Sequence, residues 1–303
     1  MAPPIILFGY KRRKHFSLAW QALAENKEAS ESELHIFLDG ARDSHDLQLV
    51  NDTRAEAARI KGFKKKHLHL SSKNLGLSSS VLRGIGKVSK IARSWIVLED
   101  DLIVSKFFLE FMHEALKSYE KNTSVASIHG YVYPTSMKLP ESFFLKGADC
   151  WGWGSWSRAW QKFEPDSRCL VKSLLACSEL DDFTFNGAAQ YLQMLKDQID
   201  GKNDSWAIRW YASAFLAGMY TLYPGRSLVQ NIGLDSSGTH CEKSMKYDVN
   251  LSPTPILFKR LPVQESKLAR QAFEEFFREK QKTSYLNSFL RFITRKGSKL
   301  VLV

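Results

Sequence analysis

Long hydrophobic runs are missing from this 303-residue chain. The longest aliphatic stretches (Ile5-Ile6-Leu7-Phe8, Trp95-Ile96-Val97-Leu98, and Leu300 to Val303) hold about four residues each. A bilayer span takes roughly 20, and a signal-peptide core roughly 7–15. The expected location is therefore the cytoplasm. Cysteine is also scarce: Cys150, Cys169, Cys177 and Cys241 show no CxxC spacing, which argues against a zinc cage or a disulfide framework and leaves buried thiols as the default. Several catalytic signatures are absent. Lys87 follows Gly84 and Gly86 but lacks the upstream glycine and following Ser/Thr of a phosphate loop. No GxGxxG follows a strand, and HExxH and GxSxG do not occur. The Lys64-Lys65-Lys66 run has no zinc-finger or RNP1-type company, so it reads as a solvated helix end, and no nucleic-acid partner is expected. His67 and His69 alternate on a strand without acidic or cysteine neighbours in sequence.

What is present is ordinary globular composition, 44% hydrophobic and 25% charged, enough for one large α/β domain with a sizeable core. Forty-three Lys and Arg against 32 Asp and Glu give a net charge of +11. That surplus suits an anionic partner such as a sugar nucleotide or an acidic lipid surface, and equally an indifferent basic surface.

The first half alternates strands and helices. Apolar strands are expected at 4–9, 34–38, 67–70, 94–98 and 124–129, and helical periodicity at 12–28, 46–61, 77–92 and around Phe107 to Tyr119. Five strands with helical crossovers imply a doubly wound, mostly parallel sheet. The second half is less regular, with helices expected at 188–199 and 205–216 and strands around the Pro224-Gly225 turn. Residues 264–303 hold nine Lys/Arg against four Asp/Glu and read as a basic helical tail studded with aromatics. The chain thus divides into 1–250, itself a 1–130 half and a 131–250 half, and a tail at 251–303.

The strongest chemical signal is Glu99-Asp100-Asp101 at the end of the all-apolar strand 94–98. Ligands bind beyond the carboxyl ends of strands in open α/β sheets. Three adjacent acids need a cation to offset their repulsion, and their hard oxygens suit Mg²⁺ or Mn²⁺. The plainer reading is a solvated loop ahead of a helix. Asp39-Gly40 ends the second strand in the same way, as a nucleotide contact or as a simple turn. Trp151, Trp153, Trp156 and Trp160 fall within ten residues. They fit a core or a sugar platform equally, with Gly152 and Gly154 bending the chain to present the rings. Asp204, before Trp206 and Arg209, is a helix cap or a general base. His240 is a lone loop histidine.

Together these blocks resemble GT-A glycosyltransferases, most of all the N-acetylglucosaminyltransferase I type and bacterial polysaccharide and lipopolysaccharide sugar transferases. Pro4 to Arg12 is similar to that family's first strand, His35 to Gly40 to its uracil-binding segment, and Ile96 to Val104 to its Glu-Asp-Asp metal motif. Gly152 to Trp160 is similar to a Gly-Trp loop beside the sugar, and Asp204-Ser205-Trp206 to the segment of the catalytic aspartate, where the family reads Asp-Asp-Trp. The resemblance implies a Rossmann-like GT-A fold and an inverting, Mn²⁺- or Mg²⁺-dependent transfer from a UDP sugar to a carbohydrate or lipid-linked glycan. It implies Asp101 as metal ligand and Asp204 as base. Arg12, Asp39, Glu99, Asp100 and Trp153 fall on the donor, and Trp151, Trp156 and His240 toward the acceptor. A sugar-phosphate nucleotidyltransferase and a non-enzymatic carbohydrate-binding protein remain alternatives. The basic tail is expected either to pack as a helix or to lie on an acidic membrane face.

Overall fold

The computed structural model describes residues 2–235 and 245–297, with side chains described as far as Lys282. The first half runs β1 (Ile5–Gly9), α1 (Arg13–Ala24), β2 (Glu33–Leu38), α2 (Ser44–Arg59), β3 (Lys65–Leu70), α3 (Leu77–Val88), β4 (Ser94–Glu99), β5 (Leu102–Val104), α4 (Phe108–Ser118) and β6 (Val125–His129). The second half adds β7 (Ser142–Lys146), β8 (Trp153–Trp156), α5 (Ser157–Trp160), α6 (Ser167–Ala176), α7 (Leu180–Phe183), α8 (Tyr191–Ile199), α9 (Trp206–Leu216), β9 (Tyr220–Pro224), β10 (Val229–Asn231) and α10 (Lys267–Gly297).

Eight strands form one sheet in the order β3-β2-β1-β4-β8-β6-β9-β7, and β5 pairs with β10 in a separate ribbon. β3, β2, β1 and β4 are parallel neighbours. β8 enters antiparallel between β4 and β6, and β7 closes the far edge antiparallel to β9. The result is a mixed α/β, Rossmann-like fold with a mainly parallel sheet and a C-terminal helix. Side chains alternate across its central strands. Ile5, Leu7, Ile96 and Leu98 face one core with Phe16, Leu23, Phe108 and Phe111. Ile6, Phe8, Trp95 and Val97 face the other with Val81, Ile85, Trp206 and Trp210. Both faces are covered, which is why β1 is apolar from Ile5 to Phe8 and β4 from Trp95 to Leu98.

The five expected strands are present. β5, β7 and β8 are additions, and β8 corrects the reading of the Trp segment. Trp153 and Trp156 are fully buried. Trp153 packs on Trp160, Trp206 and Trp210, and the Trp156 indole donates to the Leu116 carbonyl at 3.2 Å. The bend that the glycines announce does exist at Gly152, whose φ of +67° and contact with Val229 leave no room for a side chain. It turns these two rings into the core, so neither is a surface platform.

The lysine run also finds a use. Lys66, in β3, sends its ammonium back to the carbonyls of Ala57, Ala58 and Ile60 at the end of α2. The region after residue 250 is continuous with the domain over its first part. Ile256 is buried, Glu265 bridges to β7, and Ala269, Phe273, Phe276 and Phe277 of α10 lie in a third core with α6, α8 and α9. The tail's more distal aromatics fall outside the described side chains, as do His240 and Cys241 outside the described residues. Among the described residues no helix is long and apolar enough to cross a membrane.

Candidate active site

The carboxyl ends of β1 and β4 meet at a corner of charge. β1 runs out at Gly9, and Arg12 turns back from the start of α1 to the acids after β4. Its Nη2 bonds the Asp100 carboxylate and, at 2.8 Å, Asp101 Oδ2. The Tyr10 amide adds a long contact of 3.4 Å to Asp100 Oδ2. Burial opposes the charge on Arg12, but Asp100 and Asp101 outweigh it and hold its pKa above the usual range. Burial raises the pKa of Glu99 and Asp100, and the neighbouring carboxylates add to the rise in both. One guanidinium therefore pairs with two of three consecutive acids, and the side-chain donor atoms these acids offer are all hard oxygens.

The second half of the chain folds over this corner. The β5–β10 ribbon sets Asn231 opposite Leu102, and the Ile232 amide donates to the Asp101 carbonyl at 2.9 Å. Gly233 then passes so close that an added Cβ would sit 2.2 Å from Asp101 Oδ2. Only glycine permits this approach. A neighbouring hub was not legible in sequence: Asp46, on α2, receives Tyr10 Oη at 2.5 Å, Lys11 Nζ at 2.7 Å and Arg42 Nε at 2.9 Å. Lys11 first, then Tyr10 and Arg42, hold the Asp46 carboxylate well below its ordinary range. This hub anchors the turn that carries Arg12.

Asp39 takes a different part from the other acids. Its carboxylate accepts the amides of Gly40, Leu75 and Gly76 at 2.8–3.0 Å. It pins the loop leading into α3, so the turn reading describes what it does here. It also lines a groove of about 380 Å³ with His69, Ser71, Ser72, Ser80, Arg83 and Lys87.

Beside the acid corner lies a cavity of about 470 Å³. Tyr131, Tyr133, Trp151, Tyr191, Tyr211 and Tyr247 supply its aromatic wall, and Asp149 supplies a carboxylate. Trp151 is the member of the Trp cluster that reaches it, edge-on to Tyr131 and Tyr247 at ring separations of 4.8 and 5.5 Å. The Trp151 amide donates to His129 Nε2 at 2.9 Å, and burial lowers the pKa of that imidazole to about 3, so the ring is neutral. Burial pushes Asp149 up to about 6, partly offset by the Tyr223 hydroxyl, which donates to Oδ2 at 2.9 Å. The cavity and the corner lie near each other. Leu234 lines the cavity directly after Gly233, and the buried Cys150 thiol is raised by burial and then by both Asp149 and Glu99.

Asp204 is not in this cavity. Its side chain is 70% exposed and pairs with Arg209 Nη2 at 3.2 Å. It lines an adjoining groove with Asp166, Arg168 and Lys202. The α9 cap is Ser205, whose hydroxyl accepts from the Ile208 amide. Ser205, Ala207 and Ile208 line the aromatic cavity, so Asp204 sits at its rim. The sequence reading passed over Asp149. Its signal was an acid two residues ahead of Trp151.

No family model and no curated relative matches this chain. Solved structures similar to part of this chain include two of low identity. S. aureus TarS is 15% identical with a TM-score of 0.34, over 55% of this chain and 30% of TarS. A protein from Desulfovibrio desulfuricans G20, assigned by name to the nucleotide-diphospho-sugar transferases, is 12% identical with a TM-score of 0.33, over 55% of this chain and 68% of that one. The chain thus spans less than a third of the length of TarS. Likeness of this size does not extend to chemistry.

Proposed function

We propose that this protein transfers a sugar from a nucleotide diphosphate donor, a UDP sugar, to a carbohydrate hydroxyl. The observation that carries the reading is the acid corner itself: three carboxylates at the end of β4, one guanidinium among them, and an aromatic cavity alongside. Asp101 would hold Mn²⁺ or Mg²⁺, with Asp100 and Glu99 orienting ribose and donor sugar. Such an ion, when bound, supplies Lewis-acid stabilisation of a leaving diphosphate. Arg12 adds a fixed positive charge at the same place, and preorganised charge of this kind contributes more than proton transfer. Asp39 already accepts four contacts from three backbone donors, with Leu75 shared between its oxygens, so a nucleobase N–H would have to displace one of them. Trp153 serves by packing rather than by touching the sugar.

The acceptor would lie in the aromatic cavity against Trp151, where flat rings suit the apolar faces of sugars. Its hydroxyl would attack in line from the face opposite the diphosphate, inverting the anomeric centre. Asp204 at the rim is the base implied by the resemblance. Asp149 is a second candidate, favoured by its place inside the cavity.

A thermal-shift panel of nucleotide sugars with and without Mn²⁺ tests the reading, since a ligand of the folded state raises the melting point. A UDP sugar should raise it only with metal, and Asp101→Ala should abolish both the shift and turnover. Near-normal metal-dependent turnover in Asp101→Ala would end the assignment. Pyrophosphate release from a nucleoside triphosphate and a sugar phosphate would replace it with a nucleotidyltransferase. The base is settled by turnover: the Asn variant of the true base loses about 10²–10⁴-fold in kcat, the other far less.

A further inference from the structure

A second cluster of metal-type ligands lies away from the acid corner, on the outer half of the sheet. We propose that Glu33, His35 and His67 form a site for a divalent transition metal of the Zn²⁺ type, with His69 orienting the His35 ring. This is independent of the transferase reading.

The parallel register of β2 and β3 sets His35 opposite His67, Glu33 opposite Lys65 and Phe37 opposite His69. These residues share strand parity, so their side chains project from one face. One donor atom from each of Glu33, His35 and His67 lies within 4.8 Å of the others. One edge of that triangle is already short: His67 Nε2 is 2.8 Å from Glu33 Oε2. At the widest, an ion at the centre would lie about 2.8 Å from each donor, so inward shifts of about 0.7 Å reach Zn–N and Zn–O distances near 2.1 Å. The His35 and His67 rings are stacked at 4.3 Å with planes 13° apart, so binding would rotate at least one ring out of the stack to aim its nitrogen at a shared ion.

The donor chemistry selects the ion. Two imidazoles and one carboxylate suit Zn²⁺ and its neighbours over Mg²⁺ or Mn²⁺, so this site and the acid corner differ in preference. His35 is buried, and its Nδ1 lies 3.2 Å from His69 Nε2. Because Lys87 Nζ donates to His69 Nδ1, His69 Nε2 donates to His35 Nδ1; ligation through His35 Nε2 would move the His35 proton to Nδ1 and reverse that contact, the usual way in which a second partner orients a ligating ring. Glu33 and His67 are partly exposed on the edge strand pair, which gives the ion an entry path and a fourth position for water. Lys87, 3.0 Å from His69 Nδ1, is exposed and would turn away as the proton of His35 moves to Nδ1. Lys64 and Lys65 act on Glu33 and weaken the attraction without blocking it. A bound ion would fasten the edge strand β3 to β2.

The test is cobalt substitution in the full chain after chelator treatment. Wild type and Asp101→Ala should both develop the visible d–d absorption of low-coordinate Co²⁺, displaced by Zn²⁺. His67→Ala should abolish it, and Glu33→Gln, at a partly exposed position, should weaken it at least 10-fold with an unchanged circular dichroism spectrum. His69→Ala should cost 10–100-fold in affinity. Absence of the band in wild type, or its persistence in both His67→Ala and Glu33→Gln, would overturn the proposal. Loss of the band in Asp101→Ala alone would place the ion in the acid corner and overturn it equally.

Discussion

The acid corner and the aromatic cavity lie near each other, yet they are assembled in opposite ways. The corner is made from short stretches at the ends of two adjacent parallel strands, Tyr10 to Arg12 and Glu99 to Asp101. The cavity draws its wall from β6, the turn before β8, α8, α9, the segment after residue 245 and α10. The corner is held by charge and the cavity by rings. Charge placed at strand ends is a local property of sequence, whereas a ring's role depends on what surrounds it after folding. The four-tryptophan segment shows this directly: Trp151 lines the cavity, and Trp153, two residues on, is wholly buried.

The sharpest way to break this contrast is to truncate those two rings. Trp153→Ala should cost about 3–5 kcal/mol in chemical denaturation, the range for a large buried aromatic. Trp151→Ala should cost much less and should impair acceptor use instead. Equal destabilisation would mean that both rings are core and that the cavity has no separate part to play.

The second comparison concerns the corner alone. Removing the Arg12 guanidinium leaves Asp100 and Asp101 without an ion-pair partner among the described residues. Arg12→Ala should therefore lower stability by about 2–3 kcal/mol, near the low end for a broken buried pair because Arg12 is partly exposed. Mn²⁺ should restore more of the melting temperature in this variant than it adds to wild type. A variant that melts like wild type, and is indifferent to Mn²⁺, would show that the acids are not in strain.

The smallest effect distinguishes the cavity. Asp149 titrates near pH 6 in the folded chain and near 3.9 when unfolded. Between those values the folded protein keeps a proton that the unfolded chain has lost, so this residue makes stability fall as pH rises from about 4 to 6. Asp149→Asn should flatten that part of a melting-temperature profile. An unchanged profile would mean that the carboxylate is ordinary.

Much of the corner was legible because its signals are local. An apolar strand ending in three acids, and an arginine just past the first strand, mark their own positions. The same logic found the first-half strands and helices. It failed where partners are far apart in sequence: Asp46 meets Tyr10 from 36 residues away, and His67 finds Glu33 only through strand pairing. It failed differently at β8, where glycines that look like loop residues let a strand pass between crowded neighbours. Asp39 shows the limit of motif reading, since the same carboxylate that suits a ligand is engaged by three backbone amides.

The placement of β8 has a bearing on how the chain is made. It is the strand that covers the inner side of β4, and it follows β4 only after α4, β6 and β7. During synthesis β4 therefore waits with an apolar edge open to other chains until Trp156 has left the ribosome, a delay of roughly 3–11 seconds at about 5–20 residues per second. A shortened product ending near residue 130 would keep that edge permanently, so it should gather into aggregates rather than fold as an independent half.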